Sequence, residues 1–479
     1  MTKRAPFRSW VLASESQTVS SHGSAWSKLA CCLTLFGLFT ALSAFGQEQG
    51  DPGDPRERVI HYRSPENLAD PVTRLKEQLA AGKRKLRFEP KRGYLASLLD
   101  ALHVPVSSQA LVFSKTSSQE EQTSPRTPRA IYFSQDVYVG WVPGCPQIDL
   151  AAMDPQRGVV FYTLEQHEDP APVLTRRFDC LRCHESGRTL QVPGLFVRST
   201  YTRADGTPLA TVREFVSGHN SPLAQRWAGW YVSGTHIAAR ACAAGQVPGP
   251  GDGEFHLGNL ISTNTDNPEL VNVVAGANRT DLRPLFDAPL YLSPHSDIVA
   301  LLVLEHQVRM HNLITLAKYK TRLALAEIGA TGSSVDWNDL REDSPWPQQR
   351  IAQAGERLLE YMLLRDEAPL KGQITGTTAF AAEFQRLGPR ARGRSLRDLD
   401  LRTRLFKYPC SYLIYGSSFD ALPAEMKNYL WRRLDNILTG REQSETYRDM
   451  PKNDRLAVLE ILRETKPEFA AWLRQSSVR

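Results

Sequence analysis

The spacing of apolar residues changes along the chain and divides it into three stretches. Between residues 65 and 102 apolar positions recur at helical spacing, which predicts helices over 65–82 and 94–102. From about 130 to 290, short runs of β-branched and aromatic residues, such as 130–142 and 159–164, predict strands. From about 345 onward helical spacing dominates again.

A long helix is predicted to start after Pro294, with Ser296 or Asp297 as its cap, and to run to about Ile328. Further helices are predicted over 349–364, 379–387, 405–415, 423–438 and 452–473. The turn at 204–206 predicts a hairpin between strands at 195–202 and 208–215. Together these elements predict an α+β fold, in which a β-rich central region precedes a mostly α-helical C-terminal region.

The first 46 residues differ from the rest of the chain. Residues 29–45 form an uncharged apolar run that follows Lys3, Arg4, Arg8 and Lys28. This arrangement is typical of a secretory signal peptide. The run also lies at the lower edge of what spans a bilayer, so an N-terminal membrane anchor is the alternative. We therefore predict a periplasmic or exported protein, which associates with the membrane through this segment if the segment is retained.

The remainder is predicted to comprise a polar linker at 47–64, an α+β region at 65–330 that contains Cys180 and Cys183, and a helical region at 331–479. The composition, with 41% hydrophobic and 23% charged residues, is globular and excludes disordered, collagen-like and polytopic membrane proteins. The net charge of +6 falls to +3 without residues 1–46, which gives little support to nucleic-acid binding. Seven cysteines in 479 residues are too few for a disulfide scaffold.

The chemistry-bearing motif is Cys180-Leu181-Arg182-Cys183-His184, which has the pattern CxxCH. Two intervening residues set the thiols one helical turn apart, which matches the spacing of the two haem vinyl groups, and the adjacent histidine supplies an axial nitrogen to the iron. From the frequencies of Cys and His in this chain, only about 0.002 accidental matches are expected. The motif is therefore specific.

On these residues the chain resembles the c-type cytochromes. The resemblance implies one covalent haem c, attached through Cys180 and Cys183, with His184 as an axial iron ligand. Three wider stretches, 127–144, 180–199 and 293–312, are similar to a group of large exported bacterial monohaem proteins. That similarity implies a haem inside a larger architecture and brings no reaction with it.

The second axial ligand is sought in the long helix, where His306, Met310 and His311 lie within six residues. Met310 is the candidate distal ligand, and His306 or His311 is the other choice. His306 and Met310 share one helix face, so a core methionine beside a hydrogen-bonded histidine is the alternative interpretation. Glu305 and Arg309 are predicted to form a surface salt bridge.

Other interpretations of the cysteines remain open. A zinc site would need further ligands at close spacing, and a thioredoxin-like dithiol would need a preceding buried strand. A structural disulfide between Cys180 and Cys183 is possible but strained, and Cys145 could pair with Cys242. The arginine-rich loop at 390–404 could hold haem propionates or could simply be solvated.

These observations predict electron transfer by a covalently bound haem c, with an unidentified redox partner protein and no nucleic-acid partner. The alternative is a haem-dependent enzyme, peroxidase-like or oxidase-like, with an open sixth iron position. Size favours the enzyme, because carrying one electron does not require over 400 residues. A third interpretation is a non-haem binding or scaffold protein with a structural CxxC.

Overall fold

The structure is a computed structural model, and it describes residues 54–168, 172–210, 214–236, 255–260, 273–331 and 346–476. The predicted signal peptide or anchor at 1–46 and the first part of the predicted linker lie outside these residues. Residues Glu48–Arg479 form one compact unit. Within the described ranges, no helix is both long enough and apolar enough to cross a membrane.

Three short helices precede the sheet. They are α1 (Pro55–Ile60), α2 (Pro71–Ala80) and α3 (Leu95–Ala101). The predicted helix at 65–82 starts later than expected, because the Asp70 side chain accepts hydrogen bonds from the backbone N–H groups of Val72 and Thr73 and caps α2 there. The predicted helix at 94–102 is confirmed as α3.

The central sheet has seven antiparallel strands in the order β6-β5-β4-β3-β2-β1-β9. The predicted strand at 130–142 is a hairpin of two strands, in which Tyr132 pairs with Val139. The strand predicted at 159–164 is confirmed. The seven strands are β1 (Ala110–Val112), β2 (Arg129–Phe133), β3 (Val137–Trp141), β4 (Gln147–Asp154), β5 (Gly158–Glu165), β6 (Leu174–Arg177) and β9 (Trp230–Tyr231).

Both faces of this sheet are buried. On β4, Leu150 and Ala152 pack with the apolar residues of α2 and α3, whereas Ala151 and Met153 pack with the long helix. Successive strand residues point to opposite faces, so a sheet covered on both sides needs apolar residues at almost every position. This explains the continuous apolar runs of the central region.

Two small sheets lie outside the central one. Strand β7 (Val197–Ser199) pairs with β8 (Phe215–Ser217), and β10 (Gly234–Thr235) pairs with β11 (Thr375–Gly376). The predicted turn is confirmed, because Thr202 forms a β-bridge with Pro208 and the Arg203 N–H donates to the Thr207 carbonyl at 2.8 Å. The regular strand pair, 197–199 with 215–217, is shorter than predicted and lies farther from the turn. Gly206, at φ +91°, supplies the left-handed conformation that the predicted turn requires.

The dominant helix, α6 (Ile298–Thr331), has 34 residues and follows the one-turn helices α4 (Leu181–His184) and α5 (Val273–Gly276). Asp297 caps α6, as predicted, by accepting hydrogen bonds from the N–H groups of Val299 and Ala300. The helix packs against both the sheet and the C-terminal helices. Its polar residues are consequently buried too, and they include Glu305, His306, Gln307, His311, Asn312, Thr315 and Lys318.

The predicted surface salt bridge between Glu305 and Arg309 is wrong. Glu305 is fully buried, and its carboxylate pairs with the guanidinium of Arg226 at 2.9 Å. The error follows from the setting of α6, because every residue from 298 to 319 except the partly exposed Arg309 is buried, which leaves no solvated face for an i,i+4 pair. A buried carboxylate takes its partner from a neighbouring element instead.

The C-terminal region is helical, and the predicted α+β fold is confirmed. The predicted helix at 405–415 is wrong, because only a 3₁₀ turn at Tyr412–Tyr415 forms there. The predicted helix at 452–473 is two helices, since Pro467 starts a new one. The helices are α7 (Gln348–Met362), α8 (Phe380–Arg386), α9 (Ser417–Asp420), α10 (Ala424–Thr439), α11 (Lys452–Thr465) and α12 (Pro467–Ser476).

Candidate functional site

The CxxCH motif forms a single helical turn, α4. The backbone N–H groups of Cys183 and His184 donate to the carbonyl of Cys180 at 3.2 and 3.0 Å. Both thiols are free; Cys180 is partly buried and Cys183 is exposed. The turn therefore presents two unoxidised thiols at the one-turn spacing that thioether attachment to haem requires.

The His184 ring is held in one orientation by its surroundings. Its Nδ1 lies 2.9 Å from the carbonyl oxygen of Gly194, and the ring makes tilted contacts with Phe161 and Phe196 at ring-centre distances of 5.0 and 5.5 Å. Because a carbonyl only accepts hydrogen bonds, Nδ1 carries the hydrogen and Nε2 keeps its lone pair. Burial lowers the pKa of His184 to about 4, so the ring is neutral at pH 7.

The Cys180 thiol does not have the lowered pKa of a redox nucleophile. Burial, together with the nearby Asp179 and Asp149 carboxylates, raises the pKa of Cys180 to about 11. Catalytic dithiols use a thiolate whose pKa is lowered by positive charge or a helix N-terminus. The environment of Cys180 thus argues against a thioredoxin-like role.

The three candidate distal ligands on α6 lie in different settings. His306 has both ring nitrogens engaged, Nδ1 at 2.8 Å from His219 Nδ1 and Nε2 at 2.8 Å from Ser411 Oγ. The Nδ1 of His311 lies 3.0 Å from the Tyr138 hydroxyl. These imidazoles are part of a buried hydrogen-bond network, as the alternative interpretation of His306 expected.

Met310 is fully buried in the main core. It is four residues from His306 and shares its face, where His306 contacts Tyr361 of α7 and Phe406. Asn312, two residues on, is rotated by about 200° and contacts the loop beside His184. The assignment of Met310 as distal ligand stays a prediction, and the helix geometry turns Met310 away from that loop.

The arginine-rich loop is largely paired within the protein. Its guanidinium groups contact carboxylates in the pairs Arg390–Asp398, Arg392–Glu464, Arg394–Glu460 and Arg404–Asp454. Arg397 is buried and lies over the Tyr412 ring. The loop is therefore held against α11, which carries Asp454, Glu460 and Glu464.

The remaining cysteines add no ligands to the motif. Cys145 and Cys410 are buried free thiols, and Cys242 lies outside the described residues, as do Cys31 and Cys32. Across the described parts of the chain, no group of three or more His, Cys, Asp or Glu side chains is arranged to hold a metal ion.

Sequence reasoning missed the residues that surround His184, namely Phe161, Gly194, Phe196 and Asn312. Phe161 comes from β5 and Asn312 from α6, so only the folded chain brings them together. Gly194 alone had a local signal, since Pro193-Gly194 shortly follows the motif and predicts a turn. The carbonyl that fixes the histidine ring comes from this turn.

Comparisons of the chain with family models, with curated proteins and with solved structures found no match.

Proposed function

We propose that this protein is an exported monohaem c-type cytochrome that transfers electrons. Cys180 and Cys183 would form the thioether bonds, and His184 would supply an axial nitrogen. The bound haem would supply an iron that cycles between the ferrous and ferric states. Export is part of the proposal because covalent attachment of haem c takes place outside the cytoplasm, and residues 29–45 have the pattern of a signal segment.

The hydrogen bond between His184 Nδ1 and the Gly194 carbonyl is the observation that carries this proposal. Metal-binding histidines use one ring nitrogen for the metal and donate the other N–H to a carbonyl or carboxylate, which fixes the tautomer. His184 has this arrangement directly after the two cysteines. The Nε2 lone pair is thereby prepared for a metal.

The surrounding side chains support the same role. Cys180 and Leu181 pack against the main core, so one side of the motif is anchored while Cys183 faces solvent. Phe161 and Phe196 shield the His184 ring from water. An apolar shell of this kind tunes the potential of an iron centre and limits solvent access.

A haem enzyme with an open sixth position is the second candidate, and one observation favours it. Both ring nitrogens of His306 are already engaged, so this imidazole cannot bind iron without breaking a buried hydrogen bond. Breaking such a bond leaves a buried polar group unpaired, at a cost of about 1–3 kcal/mol.

The test is expression of the full chain in a host that attaches haem c, followed by the pyridine haemochrome spectrum. We expect one covalent haem per chain, a shifted haemochrome band in Cys180→Ala and in Cys183→Ala because one thioether remains, and loss of covalent haem in the double variant Cys180→Ala/Cys183→Ala. Cys145→Ala is the matched control, because it removes a thiol outside the motif and should keep the haem. Purification of the parent protein without covalent haem would overturn the proposal.

Carbon monoxide then separates the two functions. A carrier with six strong ligands keeps its dithionite-reduced spectrum when carbon monoxide is added. A shifted Soret band would assign an open sixth position and favour the enzyme.

A further inference from the structure

Asn312, in the middle of α6, is buried and holds the loop that contacts His184. Its Nδ2 donates to the carbonyl of Leu195 at 2.7 Å, and its Oδ1 accepts from the Leu195 N–H at 3.2 Å. One side chain thus satisfies both backbone groups of one loop residue. The Asn312 amide thus holds the loop against α6 with a pair of hydrogen bonds like the pair that a neighbouring strand makes.

Gly194 fits between Asn312 and His184. A Cβ atom at Gly194 would lie 2.2 Å from Asn312 Oδ1, so only glycine allows the loop to approach this closely. On its other side, the Gly194 N–H donates to the His184 carbonyl at 2.9 Å, and the Gly194 carbonyl accepts from His184 Nδ1 at 2.9 Å. The chain of contacts runs from Asn312 through residues 194–195 to the imidazole.

We propose that Asn312 is a positioning residue for the haem iron, which it reaches through Gly194 and His184. This inference depends on the proposed haem function. Asn312 keeps the Gly194 carbonyl against Nδ1–H, and that hydrogen bond raises the electron density at Nε2. A more electron-rich axial nitrogen stabilises ferric over ferrous iron and so lowers the reduction potential.

The decisive experiment measures the reduction potential of the haem-loaded full chain by spectroelectrochemical titration. In Asn312→Ala we expect covalent haem to remain, because the thioethers are intact, and the potential to rise. The expected change is about tenfold in the ferric-to-ferrous equilibrium, or about 59 mV for one electron. An unchanged potential in a folded, haem-loaded Asn312→Ala protein would overturn the inference.

Asn259→Ala is the matched control. Asn259 uses the same pair of bonds elsewhere in the fold, with Oδ1 accepting from the Val232 N–H at 2.8 Å and Nδ2 donating to the Val232 carbonyl at 2.7 Å. We expect its potential to equal that of the parent. An equal rise in both variants would show a general loosening of the protein and would also overturn the inference.

Asn312→Asp provides the second variant if Asn312→Ala does not fold, because the carboxylate keeps the shape and the acceptor but loses the Nδ2 donor. A separate readout uses the haem-free protein, in which nitrogen NMR of His184 reports the tautomer. We expect Nδ1–H in the parent and a mixture of tautomers in Asn312→Ala. Absence of haem from the parent would count against the proposed function alone, whereas an unchanged tautomer in Asn312→Ala would count against the role of Asn312.

Discussion

The Nδ1 atoms of His219 and His306 lie 2.8 Å apart in the protein interior. Burial lowers the pKa of both rings below the usual value for histidine, so both imidazoles are neutral at pH 7; one ring donates and the other accepts, and their tautomers are coupled. His219 Nε2 lies 3.1 Å from an Asp366 carboxylate oxygen, which can only accept. His219 therefore has its hydrogen on Nε2, His306 donates from Nδ1, and the Ser411 hydroxyl donates to His306 Nε2.

Protein stability should fall as the pH drops from about 7 towards 4. Burial lowers the pKa of His306 well below its usual range and that of His311 to about 3. The unfolded chain takes up protons near pH 6.5 while the folded chain does not. Each such histidine therefore lowers the free energy of unfolding by up to about 1.4 kcal/mol for each unit that the pH falls in this window.

Denaturant unfolding of the parent and of His311→Gln at pH 7, 6 and 5 measures this slope. We expect a slope shallower by about 1.4 kcal/mol per pH unit in the variant. The same substitution at the exposed His103 controls for the change of side chain. Equal slopes in the parent and His311→Gln would contradict the prediction.

Removal of Arg226 should strongly destabilise the protein. Its guanidinium is the ionic partner of the fully buried Glu305, and Arg226→Met leaves that carboxylate without a counter-charge. Breaking a buried pair by removing one partner costs about 3–5 kcal/mol. The double variant Arg226→Met/Glu305→Gln should recover part of this loss in denaturant unfolding. If the double variant loses as much stability as the two single variants together, Arg226 and Glu305 are not coupled.

Replacement of Lys318 by methionine should stabilise the protein near neutral pH. Lys318 is buried with its Nζ on the Pro155 carbonyl, and burial lowers the pKa of its ammonium group to about 7. Below pH 7 the folded chain carries this charge in its interior. Lys318→Met removes this buried charge, and the loss of the hydrogen bond to the Pro155 carbonyl offsets part of that benefit. We expect a net increase of about 1–3 kcal/mol in the free energy of unfolding.

The difference in stability between Lys318→Met and the parent should decrease as the pH rises from about 7 to 10, since the parent then folds with a neutral amine. The expected change is up to about 1.4 kcal/mol per pH unit. Unfolding curves at pH 6 and pH 9 provide the comparison. A variant that is less stable than the parent at pH 6 would contradict this interpretation.

The two motif thiols should differ in reactivity in haem-free protein. Cys183 is exposed, whereas Cys180 is partly buried and the pKa of its thiol is raised to about 11. Maleimide labelling followed by peptide mass spectrometry should find Cys183 modified first, by at least about tenfold at pH 7, because the thiolate is the reacting species. Cys183→Ala should lose this fast phase and Cys145→Ala should keep it.

The sequence was sufficient for elements whose signals are local. The cap at Asp297 and the spacing of Cys180 and Cys183 each depend on a few neighbouring residues. The helix break at Pro467 is also a local signal, but it was overlooked, and one helix was predicted over 452–473. The strand β4 was missed, because four of its eight residues are Ala or Asp, which are depleted in strands.

The surroundings of the motif depended on contacts between distant parts of the chain. Nothing near Glu305 indicates that Arg226 is its partner, and nothing near His184 indicates Phe161 or Asn312. A helix buried on all sides also loses the polar stripe that shows which face is solvated. The residues of the candidate site could therefore be selected from the sequence, and the side chains that surround them could not.

The residues that orient His184 are synthesised at different times. His184 and Gly194 are ten residues apart and can meet as soon as they emerge, whereas Asn312 follows Leu195 by 117 residues. During synthesis the cysteine turn therefore emerges before α6 exists to pack against its loop. Under the proposed function, the order of the polypeptide sets an assembly sequence in which haem is attached to an open segment and the later arrival of α6 closes it.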